Sequence, residues 1–254
     1  MVHAALIGAM NNSGQNQPTW GMATMASDDS QNGTGTPGSG ERAPKRRRSA
    51  LLDSAIVEFS TYGIGGARVD RIAERANTNK AMLYHYFGNK DDLYLAALQD
   101  IYAGIRGAEN ELELDLSAPE TAIRTLVAFT FRYYVDNPAF VRMINTENLH
   151  RAVHLRAAGD MAALNRSILD RIKAILDRGV AEGIFREGID PLDLYISISA
   201  LGFTYISNQH TLAVLFGRDL TTDEAIAKRL ETMTDMILRF VRSDGHHAAS
   251  DSAR

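Results

Sequence analysis

The 254-residue chain contains no cysteine. Disulfides and thiolate metal sites are therefore excluded, and a reducing, cytoplasmic setting is expected. Long hydrophobic runs are missing too. Met1 to Met10 lacks the basic start and uninterrupted apolar core of a secretory signal. Ile196 to Phe216 holds no Asp, Glu, Lys or Arg and is long enough to cross a bilayer. Ser197, Ser199, Thr204, Ser207, Asn208, Gln209 and His210 make it too polar for lipid, so a helix buried on several faces, one of them covered by a second subunit, is the expectation, with no membrane. No stretch alternates polar and apolar residues for long enough to form a sheet. No glycine-rich phosphate loop follows a strand, no paired carboxylates stand out, and no nucleophile, base and orienting acid assemble from spacing, so no catalytic residue and no cofactor is expected.

What the chain does have is an apolar fraction of 45%, enough for a real core, and one stretch around which the rest is organised, Arg68 to Lys90. Val69, Ile72, Ala73 and Ala76 recur at helical spacing, and Leu83 and Phe87 do so again shortly after, which predicts two brief helices sharing one small core. Asn77 suits the left-handed backbone that closes a helix, and Asn79 is placed to cap the next. Two short helices joined by such a turn form a helix-turn-helix, whose second helix is sized for a DNA major groove. With Leu83 and Phe87 facing inward, Lys80, Ala81, Tyr84 and His85 remain on the other side. Lys80, Tyr84 and His85 can hydrogen-bond phosphates or base edges, and Ala81 and Met82 can touch thymine methyls. Spacing alone leaves a second reading open, a small helical hairpin within any all-α protein.

The run Thr78-Asn79-Lys80-Ala81-Met82-Leu83-Tyr84-His85-Tyr86-Phe87-Gly88-Asn89-Lys90-Asp91-Asp92-Leu93 resembles the end of the DNA-binding domain of TetR/AcrR-type transcriptional regulators. Ala55 to Gly63 is similar to that family's first helix and its closing glycine, and the similarity covers roughly Arg47 to Leu98. Two positions depart from the family pattern. Asn77 stands where glycine is common, at little cost, because asparagine is the next best residue for a left-handed turn. Arg68 stands where Ser or Thr usually caps the second helix, which leaves that cap unexplained and offers a cation to phosphate. The resemblance also implies a phosphate contact at Lys90 and DNA contacts at Thr78, Asn79 and Tyr86.

Upstream, residues 11 to 40 are a mixture of Asn, Ser, Gly, Gln, Thr and Pro, for which disorder is expected. Arg42, Lys45, Arg46, Arg47 and Arg48 then place five cations within seven positions, a solvated charge run or a flexible basic arm able to follow phosphates or enter the minor groove. Charge is divided along the chain. Glu41 to Leu98 carries ten Lys/Arg against seven Asp/Glu, whereas Ile101 to Arg254 carries seventeen against 21, so a basic head sits on an acidic body. Helix one is predicted over Ser49 to Tyr62, closed by Gly63, and a long helix over Asp91 to Glu111, capped by Asn89, joins head to body.

The body is expected to be helical almost throughout. Ser117-Ala118-Pro119-Glu120 predicts a capping box opening a helix to Asp136, and Asn137-Pro138 opens a shorter one. A long helix over Asp160 to Ala181 buries Leu164, Ile168, Ile172, Ile175 and Leu176; Asp190-Pro191 opens the next, and Thr222-Asp223-Glu224 opens the last. The fold class is therefore all-α, an N-terminal three-helix helix-turn-helix domain followed by a larger helical effector-binding and dimerisation domain. Its boundaries are a disordered, basic arm over 1–45, the DNA-binding domain over 46–92, the body over 93–243 and a disordered tail over 244–254. Glu147, His150 and His154 share one face only if their helix continues, and a polar edge of a pocket or a solvated face explains them better than a metal.

The resemblance implies a homodimer through the last two long helices, a palindromic double-stranded DNA operator, and a small-molecule effector of unknown identity in the body. Phe131, Tyr134, Met143, Asn148, His150, Phe203 and Tyr205 are the candidate lining of an effector cavity. Arg46, Arg47, Arg48, Arg68, Lys80 and Lys90 are the candidate cations toward DNA. The function expected is a DNA-binding transcriptional regulator acting as a repressor; the alternatives are a helical small-molecule-binding protein or enzyme that never touches DNA, and a helical interaction module.

Overall fold

The computed structural model describes residues 39–159 and 161–243. The expectations for residues 1–38 and for the 244–254 tail fall outside the described residues, as does the burial of Leu164. Nine α-helices follow in order among the described residues: α1 (Ser39–Gly66), α2 (Val69–Arg75), α3 (Lys80–Phe87), α4 (Lys90–Asn110), α5 (Pro119–Asp136), α6 (Pro138–Leu149), α7 (Met161–Ala181), α8 (Pro191–Phe216) and α9 (Asp223–Val241). The one extended pairing among these residues is an isolated bridge between Phe185 and Arg242, which ties the end of α9 to the α7–α8 loop.

Helix α1 begins at Ser39, not near Ser49, so Lys45 to Arg48 form a helix instead of a flexible arm. Arginine, lysine and alanine propagate a helix well once the buried turn at Leu51, Leu52 and Ala55 anchors it. Gly63 adopts φ 63°, ψ 173°, which only glycine reaches without strain. The helix therefore bends there, as the sequence predicts for its closing residue, but helical bonding resumes for one short turn to Gly66.

The predicted caps form at α3, α4, α8 and α9. Asn79 accepts the Met82 N–H, Asn89 the Asp92 N–H, Asp190 those of Leu192 and Asp193, and Thr222 that of Ala225. The capping box at α5 does not form. Its N-cap is Ala118, Ser117 donates instead to the Asp115 carboxylate, and Glu120 grips Arg242 through two bonds of 2.7 and 2.8 Å. A bidentate, charge-assisted pair is stronger than a neutral cap, and it fastens α5 to the end of α9.

One continuous core runs from head to body. Leu51, Ala55 and Phe59 of α1 meet Leu83 of α3 and Tyr94 of α4, and the core continues through Ile105, Leu126 and Phe131 to Ile198, Met233 and Ile237. Helix α1 packs on α4 and α6, while α5 packs on α8 and α9. The α7–α8 corner depends on Gly179: the ring of Phe185 lies so close that a Cβ at this position would stand 2.0 Å from its Cδ2.

Candidate nucleic-acid interface

The reading helix α3 divides as its sequence predicts. Leu83 is fully buried and Phe87 nearly so, while Lys80, Ala81, Tyr84 and His85 are exposed and Met82 and Tyr86 are half-buried. Asn77 takes φ 50° in the turn, and the Thr78 N–H bonds the Ala73 carbonyl, so the turn closes on α2 and aims α3 outward. At the far end His85 meets the Tyr86 ring edge-on at 5.4 Å, and Tyr86 lies tilted against Phe87 at 6.4 Å. Lys90 is the first residue of α4, half-buried beside that helix's free amides, an end suited to anions.

The cap missing at Arg68 is supplied from a distance. Glu58 of α1, fully buried, accepts the Arg68 backbone N–H at 2.9 Å and the Arg71 Nε at 2.7 Å, and Arg75 lies 3.8 Å from its second oxygen. Burial pushes the Glu58 carboxyl up, but the bonds from Arg71 and the Arg68 N–H, with the charges of Arg71 and Arg75, outweigh that and hold it below the ordinary range. The Arg71 guanidinium also covers the Tyr62 ring at 4.2 Å. Sequence reasoning missed this anchor, because Glu58 and Arg71 stand on different helices. The exposed Arg68 side chain faces Asp70 at 3.7 Å, and the Lys80 ammonium is ion-paired to Asp70 as well. Of the basic segment, Arg46 and Arg47 are exposed, whereas Arg48 lies over the Phe87 ring at 5.0 Å. Lys80 and Arg48 are thus partly committed to partners within the protein.

The suggested effector residues divide between interior and surface. Phe131 meets Tyr205 edge-on at 6.0 Å, and Tyr134 meets Phe203 at 5.7 Å, all four within the α5–α8 contact. Met143 is buried on α6. Asn148 and His150 are exposed at the end of α6 and stand outside this cluster. The helix stops at Leu149, and Arg151 and Ala152 are both left-handed, so Glu147, His150 and His154 do not share a helix face. Glu147 instead turns inward to accept the N–H groups of His154 and Leu155 and to bond the His154 ring at 2.9 Å. Among the described residues no group of three or more His, Asp or Glu is placed to hold a metal, and no helix is long and apolar enough to cross a membrane.

A three-helix head with an outward-facing second helix of the turn, mounted on a larger helical body, defines the class: a helix-turn-helix DNA-binding transcriptional regulator. Comparison with known proteins narrows it. Residues 51–97 match the description "Bacterial regulatory proteins, tetR family", and residues 119–237 match "Tetracyclin repressor-like, C-terminal domain". The chain is similar to the HTH-type transcriptional repressor NicS of Pseudomonas putida, 39% identical over 197 residues that span 78% of this chain and 93% of that protein. It is also similar to the HTH-type transcriptional regulator RutR of Escherichia coli K12, 28% identical over 209 residues covering 82% and 96% of the two chains. A solved transcriptional regulator from Streptomyces coelicolor, SCO4942, shares the fold with a TM-score of 0.57 at 22% identity, over 77% of this chain and 98% of that one. The chain belongs to the TetR family of transcriptional regulators.

Proposed function

We propose that the protein is a cytoplasmic repressor, and not a catalyst, that binds a palindromic operator as a homodimer and is released by a small-molecule effector held in its body. The observation that carries the reading is the division of α3, with Leu83 and Phe87 locked into the core and Ala81, Tyr84 and His85 presented to solvent beside Lys80. Arg46, Arg47, Arg48, Arg68 and Lys90 supply phosphate contacts around it, with Thr78, Asn79 and Tyr86 at its margins; Ala81 and Met82 read base edges. One such helix touches only a few base pairs, so two presented across a two-fold axis are needed for discrimination. The apolar residues Leu192 and Ile196 on α8 and Met236 and Phe240 on α9 are about half exposed, each pair one helical turn apart, and a second copy would cover them. Repressor action is favoured by the similarity to NicS, itself named a repressor. Phe131, Tyr134, Met143, Phe203 and Tyr205 remain the proposed effector walls, with Asn148 and His150 at an outer edge.

Selection of bound sites from random duplexes tests this. The expected product is an inverted repeat whose enrichment falls steeply with added salt. Lys90→Ala should weaken all duplexes about equally, whereas substitutions at Ala81 or Met82 should change the preferred sequence. Recovery of no motif, or binding indifferent to salt, would overturn the reading.

A further inference from the structure

The positive charge of the head does not lie where its reading helix is. Residues 51–98 carry five cations, Arg68, Arg71, Arg75, Lys80 and Lys90, against six Asp/Glu, so 5 - 6 = -1. Four of the five are engaged within the head: Arg71 and Arg75 with Glu58, Arg68 and Lys80 with Asp70. A surface of that balance draws in no phosphate backbone from a distance. Residues 39–50 carry five Lys/Arg against one Glu, 5 - 1 = +4, and so supply all of the head's positive excess.

These residues form the first turns of α1, and three features oppose a helix there. Every residue from Ala43 to Ser49 is exposed, so no buried side chain holds these turns to the head. Pro44 lies inside the helix and cannot donate to the carbonyl four residues back. Lys45 and Arg48 are like charges at i, i+3, near the positive end of the helix dipole. The root of the segment is nonetheless fixed. The Arg48 guanidinium lies over the ring of Phe87, the last residue of α3. Burial raises the Asp100 carboxyl of α4, and the Arg48 charge draws it partly back. The segment therefore leaves the head beside the end of α3, where Lys90 opens α4 three residues after Phe87. Its twelve residues at about 1.5 Å each reach roughly 18 Å, about half a turn of duplex.

Resting on the reading of an operator-binding regulator, we propose that affinity and sequence preference are divided within the head. Residues 39–50 lie as a helix along the phosphate backbone of double-stranded DNA beyond the end of α3 and supply most of the attraction, while α3 chooses the sequence. The composition of the segment selects this partner. It holds no large apolar residue, so it has no face to bury in a membrane or in an apolar protein groove, and its guanidinium forks match phosphate oxygens. Phosphates beside it also relieve the repulsion among its cations, so the helical form and DNA binding favour each other. A chain that threaded the minor groove would be extended, whereas this segment is helical.

Fluorescence anisotropy over a range of salt tests the proposal on the full chain, an Arg46→Gln, Arg47→Gln double variant and Pro44→Ala. The probes are the inverted repeat recovered by selection and a random-sequence duplex of the same length. Glutamine keeps nearly the helix propensity of arginine, so the double variant changes charge alone. Four cations leave each dimer, so the slope of log affinity on log salt should become shallower by about 3–4, at about 0.9 per cation. Both probes should weaken by the same factor, on the order of a hundredfold or more near 0.1 M salt, with the selected sequence unchanged. Pro44→Ala should tighten both about tenfold, because the helix no longer has to accommodate proline. Circular dichroism at 222 nm should show helix gained by the wild type on saturation with duplex, and less gained by Pro44→Ala. An unchanged salt slope or an altered preferred sequence in the double variant would overturn the division. Pro44→Ala binding no tighter would mean that the segment follows DNA as an extended chain, and a larger helical gain with phosphatidylglycerol vesicles would mean a membrane partner; either sinks the proposal. If selection still yields an inverted repeat while these tests fail, the operator reading stands alone; a chain that binds no duplex loses both.

Discussion

Replacing Glu58 by glutamine isolates the contact that orients the reading head. The substitution keeps the shape of the side chain and an oxygen for the Arg68 N–H, but removes the charge that Arg71 and Arg75 share. A hydrogen bond to a charged group is worth about 1.5–3 kcal/mol. Arg71 is 38% exposed and regains part of that from water, so the expected loss is about 1–2 kcal/mol. For a chain of this size that corresponds to a fall of roughly 2–8 °C in melting temperature. The sign with pH follows from the direction of the shift. The Glu58 carboxyl sits below its ordinary value of 4.5, so the native state prefers the ionised form. Its contribution is complete above that value and is lost as pH falls through the lower native one. Melting curves followed by circular dichroism, at one fixed protomer concentration, should therefore show a constant gap between wild type and Glu58→Gln from pH 7 to about 5, closing below about pH 4. A gap that is absent at pH 7, or that persists undiminished in acid, would refute the assignment of this anchor.

Gly179→Ala should lower the melting temperature by several degrees, since overpacking costs about 1–3 kcal/mol and the new methyl would meet the Phe185 ring; Phe185→Leu in the same chain should recover part of the loss. Asp70→Asn should leave the melting curve unchanged, because its pairs with Lys80 and Arg68 are exposed, yet should tighten DNA binding about two- to fivefold at low salt in a fluorescence anisotropy titration. Unchanged affinity would mean that Lys80 does not meet phosphate.

What could be read from the sequence is what depends on near neighbours. Asn77, Asn79 and Asn89 act on amides or backbone angles within three residues, so their roles follow from order along the chain. The inward turn of Leu83 and Phe87 follows from helical spacing in the same way. Long-range partners were not legible. Nothing in the local pattern says that Glu120 would leave its cap for Arg242, 122 positions on, or that Glu58 would cap a helix ten residues away. Residue type alone places Asn148 and His150 with the aromatics as a polar rim, but the left-handed pair Arg151 and Ala152 ends α6 and leaves them at the surface. The burial of the Arg106–Glu109 pair is not legible for the same reason: Tyr195 lies 89 positions away, and a lone Arg and Glu three apart on a helix normally describe a solvated face.

Helix α4 is the element that joins the body to the head. Near its start Tyr94 packs edge-on against Phe59 of α1 at 5.0 Å, and near its end Arg106 and Glu109 hold Tyr195 of α8. With 21 residues at about 1.5 Å each it is a stiff rod of roughly 30 Å, so a small rotation at the body end becomes a larger displacement of α3. Weakening an operator about a hundredfold requires a ligand to favour the wrongly spaced form by about 3 kcal/mol. Exposed pairs such as Arg239 with Asp235 are worth no more than about 1 kcal/mol and cannot supply that difference. Removing one partner of a buried, hydrogen-bonded ion pair costs about 3–5 kcal/mol, so only a change that leaves a buried charge uncompensated is of the required size. The Arg106–Glu109–Tyr195 group stands at the body end of that rod, whereas the exposed pair of Arg239 with Asp235 lies on α9.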